Sequence, residues 1–278
     1  MKKSITAVVI RVAVVTGGGH GIGRALSRRL AADGAKVVVV DIEGDAAETV
    51  ATEIGGVAKQ IDVSDEAAMV RLVDEVEADV GPIDMFISNA GVGFGDGESG
   101  AISAKGGMNP IDDRWSISWN VNVMAQVYAA RAVIPKMLRR GGGYIVNTAS
   151  AAGLLSQIGD AAYSATKHAS VGFTEALAID YGDEGIKVSV VCPQAVATRL
   201  IGMEDDSGAT EGGFNGNAVD GIMQADEVAN IIVDQALEGR FMILTHPQVA
   251  AYIQRKTGDY DRWIGGMRKF RRSLASDD

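Results

Sequence analysis

The sequence predicts an α/β fold, a doubly wound and mostly seven-stranded parallel sheet with helices on both faces. Two observations carry this reading. Strand-like β-rich runs alternate with longer helical patterns from Val12 to Thr245, and strands separated by helices pair in parallel through crossovers that cover the sheet. The first four runs also end on a glycine or a polar residue, at Gly17, Asp41, Asp62 and Asn89. Ligands of such sheets bind beyond the carboxyl ends of the strands.

The first run, residues 12–16, enters Gly17-Gly18-Gly19-His20-Gly21-Ile22-Gly23 and leaves as a helical pattern over 24–33. Glycines turn tightly and let a ligand approach the backbone, and the following helix start presents N–H groups to a pyrophosphate. The spacing of Gly17, Gly21 and Gly23 is not the G-x-G-x-x-G fingerprint. The second strand, 36–40, ends in Asp41, about twenty residues beyond the glycines, where a Rossmann unit holds the adenosine ribose hydroxyls. A 2′-phosphate would meet like charge there, with Ile42 rather than a basic residue alongside, so NAD is expected over NADP.

A helix over 45–54, a strand over 57–61 closed by Asp62-Val63, and a helix over 65–80 opened by Ser64 come next. Gly81-Pro82 stops that helix, and a fourth strand, 83–87, ends in Ser88-Asn89-Ala90-Gly91. Residues 92–111 are a Gly- and Ser-rich insertion on the ligand side. A helix over 112–140 carries Trp115, Trp119, Asn120 and Asn122; mid-helix asparagines are unfavourable, so one is expected on a solvated face and the other against a polar partner.

The fifth strand, 144–148, carries Ser150 at its tip. Then Tyr163-Ser164-Ala165-Thr166-Lys167 opens a helical pattern to residue 181, placing a phenol and an ammonium four residues apart on one face. A nearby cation favours the ionised phenol, which can exchange a proton with an alcohol oxygen. Ser150 lies outside a G-x-S-x-G elbow and lacks a triad order, which argues against a hydrolase.

The sixth strand, 187–192, runs through Cys192 into Pro193. Residues 199–224 form a polar, Gly-rich lid, a helix covers 226–238, and a last strand covers 240–245 and reaches His246. Glu204-Asp205-Asp206 lack the spacing of a Ca²⁺ loop and read as a solvated surface, so no metal is expected. Over 249–272, a helical extension sets Tyr252, Trp263, Met267 and Phe270 beside Arg255, Lys256 and further basic residues.

With 278 residues, 47% hydrophobic, the chain fits a single domain over 1–278. A net charge of −10 disfavours nucleic acid and anionic membranes as partners. Cys192 is the only cysteine, so no intrachain disulfide forms and a cytoplasmic location is expected. It reads as a buried small hydrophobe. Met1-Lys2-Lys3 and the short apolar run after it do not make a signal peptide.

Together, Thr16-Gly17-Gly18-Gly19-His20-Gly21-Ile22-Gly23, Ser88-Asn89-Ala90-Gly91, Asn122, Ser150, Tyr163-Ser164-Ala165-Thr166-Lys167 and Pro193 with Thr198 closely resemble the classical short-chain dehydrogenases/reductases over about residues 11–245. The resemblance implies a Rossmann fold and hydride transfer between NAD and a secondary alcohol or ketone. It implies a catalytic tetrad of Asn122, Ser150, Tyr163 and Lys167, in which Asn122 keeps a water that relays protons from Lys167.

It also implies a cofactor held by Gly17, Gly19, His20, Gly21, Ile22, Asp41 and Ile42, with Asp62 and Val63 at the adenine and Asn89, Ala90 and Gly91 beside it. Lys167 would hold the nicotinamide ribose, next to Tyr163, with Pro193, Val196 and Thr198 at the nicotinamide. Substrate is expected against Ser150, Leu154, Tyr163, Gln194 and Met203, and the apolar Phe94, Ile201 and Phe214 suggest that it is uncharged and partly apolar. His20 lies where NADP-using members carry a basic residue, but it is mostly neutral at pH 7. Ser88 and Gln194 depart from the family's Asn and Gly. A homotetramer, or failing that a dimer, is expected through the helices on either side of Ser150, on apolar faces over 121–134 and 169–179.

Overall fold

The computed structural model describes residues 10–94, 114–203 and 220–274. Seven parallel strands form one sheet in the order β3-β2-β1-β4-β5-β6-β7. They are β1 (Val12–Thr16), β2 (Lys36–Asp41), β3 (Val57–Gln60), β4 (Met85–Ser88), β5 (Gly143–Thr148), β6 (Ile186–Val191) and β7 (Met242–Ile243). The strand order reverses between β1 and β4, which opens a crevice at their carboxyl ends.

Strand alternation divides the core into two layers. Val37 and Val39 pack with α1 (Gly21–Ala32), α2 (Gly44–Ile54) and α8 (Ala225–Leu237), while Val38 and Val40 pack with α3 (Glu66–Asp79), α5 (Ala125–Arg139) and α7 (Ala161–Tyr181). Phe86 is fully buried in the second layer, where truncation to alanine costs about 3–5 kcal/mol.

Several elements differ from the sequence expectation. The helix expected over 112–140 is described from Arg114 and has three parts: α4 (Arg114–Trp119), a wider π turn (Asn120–Met124) and α5. Of the apolar residues over 121–134 expected to meet another subunit, Ala129, Val133 and Ile134 are buried in the core, while Val121, Tyr128 and Ala132 are half-buried. Trp115, Ile117 and Trp119 on α4 are large hydrophobic residues left exposed.

Asp65, not Ser64, caps α3, accepting from the Ala68 N–H at 3.0 Å. A short helix, α6 (Ala152–Leu155), follows Ser150. The basic extension breaks at Asp259 into α9 (Gln248–Gly258) and α10 (Tyr260–Leu274). The expectations for residues 1–9, for 95–111 of the insertion, and for 204–219 of the lid with Phe214 and Glu204-Asp205-Asp206 lie outside the described residues.

Candidate active site

The crevice begins at the glycine turn. Gly17 adopts φ +61, and a Cβ there would stand 2.9 Å from the Ala90 Cα, so only glycine lets β1 turn against the tip of β4. Asn89 ties the two tips together, donating to the carbonyls of Thr16 and Gly17 at 3.2 and 3.4 Å. The Thr16 hydroxyl accepts in turn from the N–H groups of Asn89 and Ala90. Asp41 is 8% exposed and accepts from the backbone N–H of Gly19 at 2.9 Å and of Glu43 at 3.0 Å. A carboxylate offers about four acceptor positions, so these bonds leave room for ribose hydroxyls.

The crevice holds about 520 Å³. His20, Gly21, Ile22, Asp41 and Ile42 line one stretch of it, and Asp62, Val63, Asn89, Ala90 and Gly91 the next. Tyr163, Lys167, Pro193, Val196 and Thr198 line the far end. Gly19 does not face the crevice; its place is to hold Asp41, since a Cβ there would lie 2.9 Å from the carboxylate. The cradle of glycines and the set carboxylate fit a dinucleotide.

Arg199, which sequence reasoning missed, reaches this end of the crevice. Its guanidinium lies 3.0 Å from the His20 ring and 3.6 Å from Glu43. No local pattern announces a contact across so much chain.

At the other end, Asp160 caps α7 by accepting from the Tyr163 N–H at 2.8 Å, and its second oxygen accepts from the Phe94 N–H at 3.0 Å. Asp160 was also missed, although an aspartate three residues before the Tyr is an N-cap signature. One turn on, the Lys167 ammonium donates to the Thr148 carbonyl at 3.1 Å. Lys167 is 3% exposed, and burial pulls its pKa down to about 8.

The phenol departs from expectation. Burial pushes the Tyr163 pKa up, a hydrogen bond with Ser150 partly offsets this, and the negative charge of Asp160 adds to the rise. The desolvation of a phenolate outweighs the cation above the ring. Ser150 is fixed by accepting from the Ala152 N–H at 3.1 Å.

Asn122 sits in the π turn, fully buried. It accepts from the Val92 N–H and donates to the Val92 carbonyl, both at 2.9 Å, and donates to Thr166 at 3.1 Å. Asn120 is exposed, as one of the pair was expected to be. Both polar ends of the Asn122 side chain are thus engaged, with Val92 and Thr166. These bonds hold Gly93 where a Cβ would lie 3.2 Å from the Tyr163 ring.

A second cavity, about 830 Å³, meets the crevice at Ser150, Tyr163 and Gln194. Phe94, Leu155, Ile201, Trp263, Met267 and Phe270 contribute to its wall, so the C-terminal extension roofs it. Two expected substrate contacts are corrected. Leu154 packs against the cluster of Ala149, Val190 and Cys192, and its neighbour Leu155 lines the cavity instead. Met203 is buried and lines neither the crevice nor this cavity but a neighbouring pocket that Gly19 and Arg24 also line.

Gln194 occupies its loop without a left-handed backbone, so the departure from glycine carries no strain. Its N–H donates to His246 Nδ1 at 3.3 Å, and burial lowers the His246 pKa, which keeps that nitrogen an acceptor. Cys192 is buried as expected, its thiol pushed up to about 12. Among the described residues, no group of three or more His, Cys, Asp or Glu could hold a metal, and no helix is long and apolar enough to cross a membrane.

Comparison with known proteins agrees with this geometry. A family model described as short chain dehydrogenase matches residues 11–207. The 1-deoxy-11-beta-hydroxypentalenate dehydrogenase of Streptomyces exfoliatus is 33% identical over 261 residues, which covers 91% of this chain and 90% of that protein. The meso-2,3-butanediol dehydrogenase of Serratia marcescens is 37% identical over 193 residues, 68% of this chain and 73% of the other. Among solved structures, a short chain dehydrogenase/reductase from Burkholderia phymatum in complex with NAD superposes with a TM-score of 0.79 at 29% identity, covering 92% of this chain and 96% of that one. A family model over more than half of the chain and relatives of this identity and coverage show that the chain belongs to the classical short-chain dehydrogenase/reductase family.

Proposed function

We propose that the protein is an NAD-dependent oxidoreductase interconverting a secondary alcohol and a ketone, with Tyr163 as acid/base. The observation that carries this reading is the position of Ser150 and Tyr163 in the wall common to the crevice and the apolar cavity. A molecule in the cavity and a dinucleotide in the crevice would meet there. When bound, the dinucleotide supplies the hydride acceptor.

Ser150 donates a hydrogen bond to the substrate oxygen and Tyr163 removes the hydroxyl proton. Lys167, a cation over the phenol, stabilises the phenolate that accepts this proton. Reversal gives ketone reduction, with Tyr163 returning the proton. Asp41 and the glycines would hold the adenosine half, Asp62 and Val63 the adenine, and Lys167 and Thr198 the nicotinamide half. Asn122 acts by holding Val92 and so the wall opposite Tyr163.

The relatives that act on butanediol and hydroxypentalenate support a secondary carbinol as substrate. NADPH use is the second reading, favoured by Arg199 beside His20. Glu43 lies 3.6 Å from that guanidinium and offsets its charge, and Asp41 repels a 2′-phosphate. The test is a panel of aliphatic, aromatic, steroid and polyol alcohols and ketones with both cofactors, read by nicotinamide absorbance. No turnover of any member with either cofactor would overturn the reading.

We infer a tetramer, or failing that a dimer, from the exposed Trp115, Ile117 and Trp119 on α4 and Ile179 on α7. Light scattering tests it, and a monodisperse monomer of 29.0 kDa would refute it.

A further inference from the structure

One cation stands in the wall of the apolar cavity. Arg255 projects from α9 near Tyr252, its guanidinium 5.7 Å from the centre of that ring, and forms no ion pair among the described residues. The helix that carries it is held in place. The neighbouring Lys256 is buried and donates to the Leu154 carbonyl at 2.6 Å, with its ammonium 5.4 Å from the Tyr260 ring. Val249 is fully buried, and the Tyr252 hydroxyl donates to Asp220 at 2.9 Å. Arg255 therefore has a fixed base and an open head.

The wall is also polarised. Among the described residues its one carboxylate is Asp160, which caps the helix of Tyr163 and accepts from the Tyr163 and Phe94 N–H groups. An anionic group is repelled near the Tyr163 end and attracted at the Arg255 end, and apolar side chains of α10 lie in the same wall. In a chain of net charge −10, a cation with no acid partner among the described residues is poorly explained as one of many surface pairs.

We propose that Arg255 anchors the anionic group of the substrate, which is then an amphipathic hydroxy or keto acid. Its carbinol or carbonyl lies at Tyr163, its apolar body against Trp263, Met267 and Phe270, and its carboxylate on the guanidinium. The proposal rests on the oxidoreductase reading above and names its substrate class. It replaces the uncharged substrate expected from the lid and loop composition, because α9 brings into the cavity a charge that those segments lack. Arginine offers a carboxylate two parallel N–H bonds, which an amide cannot.

The test compares para-(oxocyclohexyl)benzoate with its methyl ester, by calorimetric titration into the NADH-loaded protein and by turnover. The expected result is that wild type binds the acid at least about tenfold more tightly than the ester, and that Arg255→Gln removes most of this preference. Arg255→Lys should retain part of it. Equal affinity of wild type for acid and ester, or an acid preference that survives Arg255→Gln, overturns the proposal. Thermal melting checks that the variants are folded. Binding that depends on Arg255 without reduction of either compound supports the anchor and counts against the oxidoreductase reading, so the two fail separately.

Discussion

The Lys167 ammonium lies 5.4 Å from the centre of the Tyr163 ring while donating to the Thr148 carbonyl 3.1 Å away. The tip of β5 thereby fixes the cation over the phenol, and the cation keeps donor capacity for a ligand. An ammonium has three donors and this bond uses one.

Tyr163→Phe removes the proton acceptor and leaves the ring in place. Turnover should fall at least about 100-fold, the scale of general acid–base catalysis, with NAD affinity nearly unchanged. Single-turnover absorbance and calorimetric titration of NAD check both halves. Near-normal turnover would remove Tyr163 from its role.

The lowered Lys167 pKa makes the stability of the ligand-free protein depend on pH. Below about 8 the residue is charged in both states, and the folded protein bears the full cost of burying that charge. Between about 8 and the ordinary lysine value of 10.5 the unfolded chain binds more protons, so stability rises with pH, by roughly 3 kcal/mol in total. Cys192 works the other way above the ordinary thiol value of 9.0, because its folded thiol stays protonated to about 12. Tyr163, with its raised pKa, also opposes the gain above 10.0. Urea melts of wild type minus Lys167→Met isolate the lysine: the difference should move in favour of wild type as pH rises from 8. A flat difference would contradict it.

Asn122→Ala should cost about 2–4 kcal/mol, since it strands the N–H and carbonyl of Val92 with little water to replace the amide. Activity should fall further than stability explains, because Val92 and Gly93 set the wall against the Tyr163 ring. Urea melts with kcat measured at a temperature where the variant is folded separate the two effects. A loss under about 0.5 kcal/mol would show that the π turn holds this loop without Asn122.

What the sequence made legible was local. The glycine turn, the aspartate at the end of β2 and the Tyr163 to Lys167 spacing each lie within one strand, turn or helix, where backbone periodicity decides which groups share a face. What it hid depends on tertiary approach. Arg199 meets His20, and Asp160 meets Phe94, across distances in sequence that no pattern encodes. Leu154 and Leu155 show a smaller failure. They sit on a four-residue helix too short to display a phase, and the wrong one of the two is expected in the cavity. Arg255 was visible only as one of many basic residues in an amphipathic stretch, until the break at Asp259 and the anchoring of Lys256 placed it.

The proposed preference for NAD rests on Asp41, whose carboxylate is held in place by the N–H groups of Gly19 and Glu43. It cannot swing away from a 2′-phosphate without giving up both bonds, so the repulsion is built in. At an effective dielectric near ~20 such a contact costs a few kcal/mol. Arg199 is the opposing cation, with the His20 ring beside it, and both face Glu43, at 3.6 and 3.3 Å. The expected preference for NAD in kcat/KM is at least about 100-fold, or roughly 2.7 kcal/mol. Changing Asp41 to Ala together with Ile42 to Arg should erode most of it, because position 42 is 62% exposed and admits a long side chain beside the phosphate. Some stability should be lost too, since the Gly19 and Glu43 N–H groups lose their acceptor. Steady-state rates with both cofactors at equal concentration decide the matter. Use of NADP within threefold of NAD by the wild-type protein, or an unchanged ratio in the double variant, would show that Asp41 does not set the choice.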